Sequence, residues 1–88
     1  MNQKIKQDNK ILGKNIRKLR MKARLTQEQI VAKMQVKGCE ITRSTYAKIE
    51  AGLSNIKVTE LISLKEILDV EYNEFFVVDK SDLQQVDL

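Results

Sequence analysis

The segment Thr26-Gln27-Glu28-Gln29-Ile30, resumed after a break by Thr42-Arg43-Ser44-Thr45-Tyr46-Ala47-Lys48-Ile49-Glu50-Ala51-Gly52, decides the fold. It holds two helix starts. Thr26 with Gln29 three residues on is a capping box, in which hydroxyl and amide each satisfy an orphan backbone donor. Thr42 is a second N-cap, and Gly52, just past Glu50-Ala51, ends the helix that Thr42 begins. Between them Lys37-Gly38-Cys39-Glu40 breaks the chain, with Gly38 suited to a left-handed backbone. The helix after Thr42 has two sides. Tyr46 and Ile49 point to a core with Thr45 beside them, while Arg43, Ser44, Ala47 and Lys48 lie opposite.

Working outward, the helical period persists and proline is absent. Ile11, Leu12, Ile16, Leu19 and Ala23 describe an amphipathic first helix from Lys10 to about Arg24, closed by Leu25. Ile30, Val31 and Met34 are the buried side of the second helix, and Ile41 re-enters the core. After the loop Leu53-Ser54-Asn55-Ile56-Lys57, a fourth helix turns Val58, Leu61, Ile62, Leu64 and Leu68 inward. Val70 and Phe75-Phe76 belong to a short fifth helix from Tyr72 to about Val77. The expected organisation is a flexible basic arm over residues 1–10, one all-α domain over 11–77 and an acidic tail over 78–88.

The chain of 88 residues has no histidine and one cysteine, Cys39. An internal disulfide is therefore excluded, as are a zinc site of the usual ligand set and imidazole or Cys–His chemistry. Three glycines form no phosphate-cradling loop, so an enzyme is not expected, nor a cofactor. Cys39 sits in the extended turn beside Gly38 with no adjacent cation cluster, which disfavours a redox-sensing role. No apolar run can span a bilayer, and the polar first ten residues lack the centre of a secretory signal, so the expected location is cytoplasmic.

Charge is unevenly placed. Residues 1–57 hold 14 Lys/Arg against 4 Asp/Glu, and residues 58–88 hold 2 against 8. That asymmetry suits a basic face for a polyanion and an acidic part with another task. A short helix held by its back, with an Arg and a Lys on its front, suits contact with DNA. The plainer reading of Arg43 and Lys48 is a solvated face. Lys4, Lys6, Lys10 and Lys14 are either an arm touching phosphates or solvated disorder.

Leu19-Arg20, Leu25-Thr26-Gln27-Glu28-Gln29-Ile30, Thr42-Arg43-Ser44-Thr45, Ile49-Glu50-Ala51-Gly52, Asn55, Leu61 and Leu68 together resemble the Cro/phage-repressor helix-turn-helix family, over roughly residues 11–76. The resemblance implies a compact five-helix bundle of the lambda-repressor-like type, with the third helix in the major groove and the second crossing the backbone. It assigns Gln27 to a phosphate and to buttressing the third helix. It assigns Thr42, Arg43, Ser44 and Lys48 to bases and phosphates, and Ser54, Asn55 and Lys57 to the adjacent backbone. Arg43 is the candidate for base readout, since its planar fork matches guanine O6 and N7. Arg20 and Glu50 match a structural ion pair. The connection from Met34 to Ile41 is longer than the family's usual turn, with Gln35 in place of a turn glycine and Val31 in place of a small alanine. The sharp turn is therefore expected at Gly38.

These features imply a sequence-specific regulator of transcription, a repressor acting as a homodimer on double-stranded DNA. The alternative is an antitoxin or other interaction module whose acidic C-terminal face binds a protein partner.

Overall fold

After the first, helices begin where the sequence supplies a side-chain oxygen. The computed structural model describes the backbone of residues 2–84 and the side chains of 9–82. It comprises α1 (Asn2–Lys22), α2 (Gln27–Val36), α3 (Arg43–Glu50), α4 (Val58–Leu68), a 3-10 helix (Tyr72–Phe76) and the short α5 (Lys80–Gln84). Thr26 Oγ1 accepts from Gln29 N at 3.1 Å and Gln29 Oε1 accepts from Thr26 N at 2.9 Å, closing the capping box. Thr42 Oγ1 accepts from Thr45 N at 3.1 Å. In α4 the cap is one-sided, Glu60 Oε1 accepting from the Lys57 backbone at 2.9 Å. None of these helices is long and apolar enough to cross a membrane.

The first helix departs from expectation at its start. Residues assigned to a flexible arm are helical from Asn2 onward, because no glycine or proline interrupts Asn2–Leu12 and an established helix propagates at little cost. It ends at Lys22, earlier than Arg24. Arg24 takes a left-handed φ of 61° and lets Leu25 N donate back to Arg20 O. Ala23 is exposed as a result.

Between α2 and α3 the extended turn pivots at Gly38, whose φ is 97°. Cys39 N donates to Met34 O at 3.0 Å, and Gln35 Nε2 reaches across the turn to Ile41 O at 2.8 Å. Gln35 thus replaces a turn glycine by bracing a longer loop. Cys39 packs towards α4, its Sγ 3.1 Å from Ser63 Oγ.

The core is Ile16, Ile30, Val31, Met34, Ile41, Tyr46, Ile49, Leu64, Leu68 and Phe75, so every helix from α1 to the 3-10 segment contributes. Besides Ala23, three expected inward residues face solvent. Thr45 is exposed beside its cap. Val58 lies in the first turn of α4, beyond the core's edge, and Ile62 lies off the Leu61–Leu64–Leu68 stripe. The fifth helix is a 3-10 turn ending at Phe76, held by a side chain the sequence reading did not single out. Asn15, 4% exposed, donates from Nδ2 to Phe75 O at 2.8 Å and Val77 O at 2.9 Å.

The tail also takes form up to Gln84. Asp79 Oδ1 accepts from Asp82 N, and Asp82 Oδ2 accepts from Asp79 N, which caps α5 reciprocally. Lys14 bonds to both Asp82 and Asp79, so it clasps the tail to α1. The end of the expected tail, residues 85–88, lies outside the described residues.

At Gly13, α1 lies close against the end of α3. A Cβ placed there would stand 2.3 Å from Ile49 O and 2.6 Å from Glu50 O, both backbone atoms. Alanine normally stabilises a helix interior by about 1 kcal/mol over glycine. Here the overlap dominates: Gly13→Ala is expected to lower unfolding free energy by roughly 1–3 kcal/mol, the scale of overpacking. Urea denaturation of wild type and variant checks it.

Candidate nucleic-acid interface

Because Tyr46 and Ile49 are fixed in the core, the opposite side of α3 is presented outward. Arg43, Ser44 and Lys48 are exposed there and Ala47 is half-buried. The Thr42 hydroxyl is occupied locally, capping α3 and donating to Thr45 Oγ1 at 3.1 Å.

What fixes α3 is a carboxylate. Glu50, its side chain 4% exposed, accepts from Arg20 Nε at 2.7 Å and from Arg20 Nη2 at 3.1 Å, a bidentate pair joining α3 to α1. Gln27 Nε2 donates to the same carboxylate at 3.0 Å from the first turn of α2. Tyr46 OH donates to it at 2.5 Å from one turn earlier on α3. Arg20 completes its fork by donating from Nη1 to Leu25 O at 2.8 Å, at the α1–α2 junction. Three helices thus converge on one side chain.

Burial by itself pushes the Glu50 carboxyl up. The hydrogen bonds from Arg20, Tyr46 and Gln27 together outweigh that and hold it below its ordinary value. Burial, then the hydrogen bond to Glu50, pushes the Tyr46 phenol up, so it stays a donor.

Loop residues follow α3 directly. Gly52, at φ 77°, turns the chain, and Leu53 N donates to Lys48 O at 2.8 Å to close the helix. A Cβ on Gly52 would approach Lys10 Cα to 2.9 Å, so the loop lies against α1. Asn55 Oδ1 accepts from Asn9 Nδ2 at 2.7 Å, which ties the loop to the early turns of α1. Lys57 is exposed and Ser54 half-buried.

The structure therefore joins Arg20, Gln27 and Glu50 in one network. It leaves Arg43, Ser44 and Lys48 on a common outward face, with Ser54, Asn55 and Lys57 next in the chain. Gln27 faces Glu50, and the side chain facing Arg43 is Glu28, whose Oε1 lies 3.7 Å from Arg43 Nη1. Several of these contacts went unread in the sequence. The spacing of Tyr46 and Glu50 by one helical turn was available as a signal. No local signal identifies the Asn9–Asn55 contact, whose residues lie far apart in the chain.

With this geometry in place, a helix-turn-helix family model matches residues 16–75. The chain belongs to the Cro/C1-type helix-turn-helix family. No curated protein and no solved structure matches it. The family's domain is a DNA-binding regulatory domain, not typically an enzyme, and the chain is a DNA-binding regulator of transcription in that broad sense.

A carboxyl held low when folded stabilises above its ordinary pKa of 4.5 and loses that contribution as pH falls through the folded value. The stability difference between wild type and Glu50→Gln should accordingly shrink as pH drops below about 4.5. A difference independent of pH there would mean that Glu50 is not ionised in the fold. At neutral pH, Glu50→Ala strands Arg20 and is expected to cost ~3–5 kcal/mol, read as a lower melting temperature.

Proposed function

We propose that the chain is a sequence-specific repressor that places α3 in the major groove and acts as a homodimer on double-stranded DNA. The observation that carries this reading is the polarity of α3. Tyr46 and Ile49 are 0% and 2% exposed while Arg43, Ser44 and Lys48 face solvent, on a helix locked from behind by Glu50. Arg43 reads guanine through its fork, with Thr42, Ser44 and Lys48 beside it meeting bases and phosphates. Ser54, Asn55 and Lys57 grip the backbone and set register without specifying sequence. Gln27, bonded to Glu50, positions the start of α2 over the phosphate it would meet. The structural pair Arg20–Glu50 holds the reading helix and touches no DNA. Occupying a promoter suffices to repress it, whereas activation requires a further surface for a polymerase contact.

A homodimer is supported by Phe76, Val77 and Val78, which are 53%, 56% and 48% exposed in succession. Phe76 and Val78 line a groove of about 330 Å³ with Ile11 and Leu12 of α1. A symmetry mate covering this strip would bury its apolar surface, and a two-fold pair reads half-sites ~34–36 Å apart. The alternative, an antitoxin or interaction module binding a partner through the acidic C-terminal face, is less well supported. Asp79 and Asp82 are already engaged by Lys14, which leaves less acidic charge for a partner.

Arg43→Ala should reduce discrimination between a preferred duplex and its single-base variants by about 1–3 kcal/mol at one position. Lys57→Ala should instead weaken binding to all duplexes alike and lower the salt slope by about one. Fluorescence anisotropy over a range of salt measures both. If neither variant alters binding, α3 and its loop are not the DNA surface.

A further inference from the structure

Arg43 is met from the neighbouring helix by a carboxylate. Glu28 Oε1 lies 3.7 Å from Arg43 Nη1, and the two side chains are 76% and 62% exposed. Glu28 is the second residue of α2, so its bland role is to complement the positive end of that helix. That role does not require contact with Arg43. A carboxylate bordering a DNA-facing surface also repels phosphates, lowering affinity for every duplex alike. Gln27 supports α3 at its far end, through Glu50, and not at Arg43. Of these two adjacent residues, Glu28 is the one that reaches Arg43.

Resting on the reading of Arg43 as a base contact, we infer that Glu28 is a specificity-determining positioning residue. Its carboxylate holds one edge of the Arg43 guanidinium so that the opposite edge meets guanine. The donor count allows this: a guanidinium carries five N–H groups in a planar fork, two face guanine O6 and N7, and others remain for a carboxylate. Pairing with Glu28 also competes with phosphates for Arg43. An unheld arginine swings to any phosphate and adds affinity without sequence preference. Glu28 thus exchanges general affinity for discrimination. Because both side chains are exposed, the effect is confined to binding and leaves the fold intact.

The test is a double-mutant cycle on binding selectivity. Wild type, E28A, E28Q, R43A and E28A/R43A are compared at one salt concentration. The probes are a duplex that wild type selects from a random pool and the single-base variants of that duplex. E28A is expected to lose about two- to fivefold in discrimination, the scale of an exposed ion pair, at the same base pair where R43A loses most. E28Q should fall between wild type and E28A, and E28A/R43A should be no less selective than R43A alone. The inference is overturned if E28A tightens binding to all duplexes by one common factor, which is charge removal alone. It is also overturned if the losses of E28A and R43A multiply in the double variant. Unchanged discrimination in R43A would overturn the α3 reading itself, and this inference with it. Melting temperatures of all variants, expected to match wild type closely, keep folding out of the comparison.

Discussion

The Glu50 carboxylate is the constraint on which the arrangement depends. It stands at the end of α3, yet its donors come from α1, α2 and α3, so one buried charge fixes the mutual placement of three helices. Apolar packing alone would tolerate some sliding of α3, since Ile49 and Tyr46 could repack against neighbours of similar volume. A bidentate ion pair with further hydrogen bonds has a single favourable geometry. Breaking such a pair is costlier than never having it, because the stranded charge stays buried. Gly13 serves the same end, letting α1 approach the last carbonyls of α3 where a side chain would hold it off.

Electrostatics divide the molecule by task. Lysines and arginines dominate up to Lys57, and α3 with its loop offers the outward set. Acidic residues dominate beyond it and serve structure at least in part. Glu60 caps α4, Glu74 accepts from the Glu71 backbone, and Asp79 and Asp82 both cap α5 and engage Lys14. Hydrogen bonds from the Ser81 hydroxyl and the Asp82 backbone hold the Asp79 carboxyl well below its usual range, consistent with a permanently charged clasp. Lys14, which the sequence alone offered as part of a phosphate-seeking surface, is instead neutralised within the fold.

Much of the fold was legible because its signals are local. Thr26 with Gln29, Thr42 and Gly52 each specify a helix end through a hydrogen bond or a backbone angle within a few residues. The same holds for the turn at Gly38 and for the two faces of α3. What escaped reading depends on partners far along the chain. Asn15 looks like an ordinary polar residue of a helix until Phe75 and Val77 return to it, and Asp82 resembles tail charge until Lys14 is seen beneath it. The helical start of the chain is hidden in the sequence by its polar composition, which resembles that of a disordered arm, although no glycine or proline breaks Asn2–Leu12. Of the candidate site, the outward residues were legible from helical phase. The Glu28–Arg43 contact was not, since it depends on how α2 and α3 cross.

The central claim is that α3, locked from behind by Glu50, reads a DNA sequence as one of a symmetric pair. It is tested most directly by passing a random duplex pool over the full chain and sequencing the retained fragments after several rounds. The expected result is an enriched motif of two inverted half-sites with centres about 10 base pairs apart, one helical turn. A pool retained without any enriched sequence would contradict it.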